Sequence, residues 1–507
     1  MSGNEVELKL GLQPEDMERL RRQRAWRAHL QQRPTVARLR SVYFDTAEFD
    51  LARAGITLRV RTIGRRHLQT VKHAGSRVAG LFTRREWETG IPSPAPDRLL
   101  MRSTGLPPLQ NDDILGRLAP VFTTLVHRTV YRLADDDWRV EMAFDRGEVE
   151  AGDQSEPICE LELELTEGTP ATLFSLARDI VAIVPARLLT LSKSDRGYEL
   201  ARGTAPLPVK STPVDLKPEA DIEYAFRAIA RNCLHHLLAN ERSLLATGDG
   251  EAVHQMRVAL RRLRSAMKIF RSAVGGPELD HIKTGIAWLL GILGPARDAE
   301  VFVAEIIDPV VDAHADNPAL AALRRHWLHT RRTDLEAATA AVADRRFTDL
   351  LLTLGAWVEA GDWRSTGDRA VLGAPLLPFA TAQLAKRDRK LRSAAGRGIE
   401  ELPAAELHQL RILGKQLRYA AEFFAPLFAG KDMRTFVATV SALQDALGQL
   451  NDIAVAGPRL ANGMHDGDIG WAAGMVLGWH AARRPALLDE AGRAWHRYRK
   501  VERPWRP

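Results

Sequence analysis

Cysteine is nearly absent from this 507-residue chain: Cys159 and Cys233 are the only two, and neither belongs to a CxxC or Cys/His cluster. Structural disulfides and thiolate metal sites are not expected, and a reducing compartment is. No run of about 18 uncharged apolar residues occurs. The opening MSGNEVELKLGLQPEDMERL has no basic stretch leading into an apolar one, so neither a membrane span nor a secretory leader is expected, and a cytoplasmic protein is. Aromatic residues make up only 6% of the chain, which leaves little for stacking on nucleobases. The P-loop pattern GxxxxGK[ST] is missing as well. Positive charge is in excess, with a net +7 and a pI near 9.5. That balance suits a polyanionic partner and does not by itself distinguish nucleic acid, a membrane surface or a phosphate polymer.

The chain has two grammars. Up to about residue 203 it alternates with period two in EVELKL, ITLRVRT, LQTVKHA, LFTRREWE, TVYRLADDDWRVEMAFDRGEV and ICELELEL, with helices expected at 14–31 and 169–184. The stretch TAPLPVKSTPVDLKPE, residues 204–219, is proline-rich and aperiodic and reads as a linker. From 220 to 507, Ala, Leu and Arg dominate and apolar residues recur at three and four, which predicts an all-α bundle. That half repeats itself. HQMRVALRRLRSAMKIF from His254 matches HQLRILGKQLRYAAEFF from His408, and Asp298 and Asp452 each follow 44 residues after their histidine. Two repeat units, about 220–370 and 371–507, are expected.

The strands of the first half segregate their charges. EVELKL places Glu5, Glu7 and Lys9 opposite Val6, Leu8 and Leu10; ICELELEL aligns Glu160, Glu162 and Glu164; TLRVRT aligns Arg59 with Arg61. Lys72, Arg84 in phase with Glu86, and Glu141 in phase with Asp145 continue the pattern. A sheet with one wet face would also alternate, but it would mix its polar residues, whereas here one strand carries acids and another arginines. Charged faces of this kind converge inside a barrel or trough. Clustered carboxylates repel unless a cation joins them, and Mg²⁺ commonly pairs carboxylates with substrate phosphates. Guanidinium groups suit phosphate. Together they predict a phosphoryl-transfer site.

In the second half, His254, Arg257, Arg261, Arg264 and Lys268 line one helical stripe, and His408, Arg411, Lys415 and Arg418 repeat it. Either stripe alone could be merely solvated. Two copies meeting would form one basic groove, with Asp298 and Asp452 orienting the bases. A histidine metal site is not expected, because each helix offers one histidine among cations.

The ordered set Glu5-x-Glu7-x-Lys9, YFDT (43–46), LRVR (58–61), TVK (70–72), ICELELEL (158–165) and LSKSDRGYEL (191–200) resembles the CYTH superfamily of triphosphate tunnel metalloenzymes. The paired His-x-x-Arg helices resemble a CHAD domain, and the combination is similar to bacterial inorganic triphosphatases. The resemblance implies, over residues 1–203, an α+β domain built on a closed antiparallel eight-stranded tunnel with flanking helices. It implies metal-dependent hydrolysis of inorganic triphosphate to pyrophosphate and phosphate. Carried over by motif, Glu5, Glu7, Asp145, Glu160 and Glu162 would hold Mg²⁺ or Mn²⁺. Lys9, Arg59, Arg61, Lys72, Arg84, Arg128 and Lys193 would grip the phosphates, with Arg196 a weaker candidate. Glu5, Glu7 and Lys9 form the catalytic set, Lys9 orienting or deprotonating the attacking water. The CHAD half would bind inorganic polyphosphate through His254, Arg257, Arg261, Arg264, His408, Arg411, Lys415 and Arg418, with granule association as a further expectation. Alternatives are a non-catalytic polyphosphate-binding protein, or a CYTH enzyme acting on thiamine triphosphate or a nucleoside triphosphate, adenylate cyclases included. Neither a membrane partner nor nucleic acid is expected. Glu7→Gln is expected to fold and to lose most activity, since an amide is a poorer ligand for a hard cation.

Overall fold

Alternation in the first half becomes nine strands: β1 (Ser2–Gly11), β2 (Thr35–Asp45), β3 (Ile56–Ile63), β4 (Arg66–Val78), β5 (Leu81–Ile91), β6 (Ala119–Ala134), β7 (Arg139–Ala151), β8 (Gln154–Glu167) and β9 (Arg187–Leu188). The computed structural model describes residues 2–78, 80–396, 398–428, 430–461 and 467–505. The strands run antiparallel in the order β5-β4-β3-β2-β6-β7-β8-β1. The first part of β1 pairs back onto β5, from Ser2↔Trp87 to Leu8↔Leu81, and closes the eight strands into a barrel. β9 adds a short edge at Leu10↔Leu188.

Closure divides every strand by parity. On β1 and β8 the leucines Leu8, Leu10, Leu161 and Leu163 are wholly buried outside the barrel, each contributing about 2 kcal/mol. They lie under the helix Pro170–Ile183, which packs on β1 and β8 through Leu173, Phe174, Ala177 and Ile180. The helix Arg345–Ala360 packs in turn on Pro170–Ile183 and β9, burying Phe347, Leu351, Leu354 and Trp357. The expected helix over 14–31 is a shorter α-helix, Pro14–Arg21, followed by a 3-10 turn, Ala25–His29.

One side of the barrel interior is apolar. Tyr43 on β2 stacks on Phe122 of β6 with centroids 4.3 Å apart, and Tyr198 meets Phe122 edge-on at 5.0 Å. Tyr198 belongs to the helix Lys193–Arg202, which approaches so closely that a Cβ on Gly197 would lie 2.2 Å from the Phe122 ring. Glycine is required there. The other end of that helix starts at Ser192, whose side chain and that of Asp195 form a capping box, so Lys193 is held at a fixed entry point.

By contacts the chain divides into two units: residues up to Leu207 with Ala343–Gly361, and Pro208–Val342 with Asp362–Pro507. The sequence groups 345–360 with the helical half, whereas its buried face belongs to the first unit. The second unit is all-helical, as its periodicity predicts. Gly248, at φ +66, ends the helix Ile222–Thr247, and Asp249 caps the next, Gly250–Ile269. Phe226, Phe270, Phe379 and Phe424 pack together in its core. His254 and His408 occupy the fifth position of the helices Gly250–Ile269 and Ala404–Phe424. Asp298 and Asp452 follow on Leu279–Val301 and Gly430–Ala461. Among the described residues no helix is long and apolar enough to cross a membrane.

Candidate active site

Strand register converts the charged alternation into rows across the barrel interior. Arg128 pairs with Asp145 and Asp145 with Glu160, across β6, β7 and β8. Lys9 pairs with Glu162, and Glu7 with Glu164, which in turn pairs with Glu141. On the facing wall Tyr43 pairs with Arg59, Ser41 with Arg61, Thr57 with Lys72, and Lys72 with Glu86. The result is a cavity of about 390 Å³ lined by seven cations and seven carboxylates. The cations are Lys9, Arg59, Arg61, Lys72, Arg84, Arg128 and Lys193.

These groups interlock. Arg128 reaches Asp145 through two bonds of 2.7 and 2.6 Å and also donates to Glu162. Lys193 bridges Asp145 at 2.6 Å and Glu162 at 2.9 Å and also bonds Glu160. Lys9 lies 2.8 Å from Glu7 and bonds Glu162; Arg84 donates to Glu7 at 2.7 Å; Lys72 lies 2.5 Å from Glu5. Arg59 has only long carboxylate contacts, 3.7 Å to Glu86 and 3.9 Å to Glu88, and bonds the Tyr43 hydroxyl. Arg61 donates to the Ser41 hydroxyl at 3.4 Å and has no carboxylate within 4 Å among the described residues. Burial, Arg59 and Arg128 push its guanidinium down to about 10. That wall carries uncompensated positive charge.

The acids respond in opposite ways. Burial alone would raise Glu162, but Lys193, Lys9 and Arg128 hold it well below the usual carboxylate range. Burial, Glu5 and Glu7 push Glu164 up to about 7. Burial lowers the Lys9 ammonium, yet Glu162 and Glu7 more than offset it and its pKa is raised. Lys9 in this setting donates to both carboxylates.

Asp145, Glu160 and Glu162 are buried and offer oxygens all within 4.8 Å of one another. Glu160 Oε2 has no hydrogen-bond partner among the described residues, its nearest cation being Arg196 at 3.6 Å. A buried, hard, all-oxygen donor set with an open lone pair fits a divalent cation of the Mg²⁺ or Mn²⁺ type. Glu5 and Glu7 do not join this cluster; they face Lys72, Arg84 and Lys9. Arg196 lies at the margin, bonded to Glu156 at 2.9 Å. The cavity also contains Tyr43, Thr57, Thr70, Glu88, Ser192 and Ser194, which sequence reasoning passed over. The parity of β2 pointed to Tyr43 inside YFDT.

The second unit holds a separate groove of about 590 Å³. It brings together His254, Arg257 and Arg261 of the first stripe with Arg411, Lys415 and Arg418 of the second. Arg264 is exposed outside the lining, and so is His408, whose Nδ1 lies 2.6 Å from Asn451 Oδ1. Asp298 accepts from Arg257 at 3.4 Å and from Arg459 at 3.2 Å, an orienting contact for bases of both halves. Arg297 and Arg459 join the lining, and Arg459 was not singled out from the sequence. Arg297, which the second repeat replaces with Asn451, bonds Glu300 at 2.9 Å, so the two ends of the groove differ chemically. Burial, Arg411 and Arg261 push Lys415 down to about 7, and burial with Arg297 pushes His254 down to about 4. His236 is ordinary by contrast, buried between the Val209 carbonyl and Gln255.

Comparison with known proteins agrees with both halves. Residues 3–198 match the model of the CYTH domain, and residues 228–461 that of the CHAD domain. An uncharacterized protein of Mycobacterium tuberculosis is 27% identical over 426 residues, 77% of each chain. The inorganic triphosphatase of Haemophilus influenzae is 31% identical over 163 residues, 32% of this chain and 46% of that one. The crystal structure of the CHAD domain from the plant Ricinus communis superposes with a TM-score of 0.51 at 32% identity, covering 59% of this chain and 98% of that one. The closed charged barrel and the helical unit thus have their counterparts, and the chain joins a CYTH domain to a CHAD domain.

Proposed function

We propose that the first unit hydrolyses inorganic triphosphate to pyrophosphate and phosphate with Mg²⁺ or Mn²⁺, and that the groove of the second binds inorganic polyphosphate. One observation carries the first reading: of the seven cations lining the cavity, Arg61 alone has no carboxylate within 4 Å among the described residues, and the same barrel holds the buried cluster of Asp145, Glu160 and Glu162. Asp145, Glu160 and Glu162 would hold the cation, which would supply polarisation of a phosphoryl oxygen and a lowered pKa for water. Arg61, Arg59 and Lys72 take phosphate oxygens on one wall, and Arg84, Arg128 and Lys193 exchange part of their carboxylate pairing for phosphate on the other. Lys9, protonated, donates to an oxygen at the reacting end and orients it. Buried walls exclude bulk water and strengthen each of these contacts.

Two features support an inorganic substrate over an organic one. Tyr43 is the only aromatic in the lining and is already stacked on Phe122, so no ring is free for a base or a thiazole. The likeness to the Haemophilus influenzae protein points the same way. For the groove, the support is its crowded cations, Lys415 having no carboxylate within 4 Å among the described residues. The test is phosphate release by the full-length protein from inorganic triphosphate, ATP, thiamine triphosphate and long-chain polyphosphate, with each metal and with chelator. Metal-dependent release favouring inorganic triphosphate is expected. Faster turnover of an organic triphosphate would overturn the substrate assignment; no turnover together with polyphosphate binding would make the tunnel a sensor.

A further inference from the structure

Helices do not cover the whole outside of the barrel, and one uncovered part is basic. Arg38 of β2 pairs with His127 of β6, and His127 pairs with Arg146 of β7. All three side chains are exposed, and adjacent register partners share a face, so they form a lateral row spanning roughly 10 Å. Arg40 stands two residues along from Arg38 on the same face and is exposed too. Arg40 pairs with Thr62, which sets the β3–β4 turn, with exposed Arg65 and Arg66, abreast of Arg38.

None of these six side chains has an ion pair or side-chain hydrogen bond among the described residues. Like charges opposite one another on a sheet are destabilising, and a merely solvated face would intersperse acids. The acids on the same face of β7 as Arg146, Glu148 and Glu150, stand in the rows beyond it, opposite Leu125 and Thr123, and Glu148 accepts from the Ser155 hydroxyl at 2.8 Å.

We propose that this row is a second polyanion site, outside the tunnel, and that its ligand is a linear inorganic polyphosphate chain lying across β2, β6 and β7. Its charge asks for phosphates at close, regular intervals. It contains no Phe, Tyr or Trp on which a base could stack, which disfavours single-stranded nucleic acid, and Val36 is its single strongly exposed aliphatic, too little to anchor in a bilayer. The site depends neither on turnover in the tunnel nor on the groove, and the experiment separates all three.

Long-chain polyphosphate binding is measured on the full-length protein in four forms: unaltered; with Arg38→Glu and Arg146→Glu; with the groove changes Arg257→Gln and Arg411→Gln; and with all four. Triphosphate turnover is followed alongside. In the groove-altered protein, reversing the row is expected to weaken the remaining binding about tenfold or more and to flatten its salt dependence, with turnover unchanged. Unchanged residual binding would overturn the proposal, as would duplex DNA or anionic vesicles displacing polyphosphate from the row at lower phosphate concentration. Arg146→Thr serves as a folding control: relief of repulsion predicts a thermal midpoint equal or higher at low salt, and a marked fall would assign the row a structural role instead.

Discussion

Tunnel and groove both collect cations, but they balance them differently. In the tunnel seven cations meet seven carboxylates, and lysines such as Lys9 and Lys193 are held firmly charged by acids on either side. In the groove the cations crowd one another, and Lys415 is pushed down to about 7. A balanced site with a compact acid cluster is equipped for a metal and an anion together; an unbalanced one is equipped for the anion alone. Among the described residues, the carboxylate cluster able to hold a cation lies in the barrel.

The comparison breaks most sharply by removing an acid. Glu162→Gln is expected to lower triphosphate turnover by about 1,000-fold while leaving polyphosphate affinity intact, read by phosphate release and by polymer binding. Glu7→Gln carries a second effect. Glu7 is buried and accepts from Arg84 and Lys9, so the amide leaves buried cations short of a partner, and a stability loss of about 3 kcal/mol in urea unfolding should accompany the lost activity. The fold expected to survive this change is therefore strained by it.

The reciprocal change, Arg257→Gln with Arg411→Gln, should weaken polyphosphate binding by about 10- to 100-fold with turnover unaffected. Smaller still is a pH effect. Lys415 titrates near 7 in the free groove and a bound anion raises its pKa, so binding takes up a proton and affinity falls as pH rises from 6 to 8, by about threefold to tenfold. Lys415→Met should abolish that slope. The smallest expected effect returns to the tunnel. Glu164 stands at about 7 when folded, against an ordinary value near 4.5. Its proton is held more tightly in the folded state, so its contribution to stability declines as pH rises from 4.5 to 7. Glu164→Gln should raise the thermal midpoint by about 3 °C at pH 8 and leave it unchanged at pH 4.

Parity made much of this legible. Once EVELKL and ICELELEL are strands, Glu5, Glu7, Lys9, Glu160 and Glu162 must share a face, and closure of the sheet turns that face inward. Repeat spacing likewise announced the groove before any helix was placed. What parity cannot supply is the phase between strands. The one-residue offsets that put Asp145 beside Glu160 and leave Glu5 beside Arg84 are set by pairing at a distance. Arg264 and His408 obey the helical spacing yet lie outside the groove lining, because the lining depends on where two helices cross rather than on either stripe. That the helix Arg345–Ala360 packs with the first unit is hidden for a related reason: its amphipathic pattern declares a buried face but not its partner.

The most direct test of the claim that acids and cations in the barrel act as one site is a single comparison. Initial rates of phosphate release from inorganic triphosphate, with and without Mg²⁺ or Mn²⁺, are measured for the unaltered protein, for Glu162→Gln and for the groove pair Arg257→Gln/Arg411→Gln. Metal-dependent release that survives the groove changes and disappears with Glu162 is the predicted result. Release that needs no metal, or that persists in Glu162→Gln, would contradict the account.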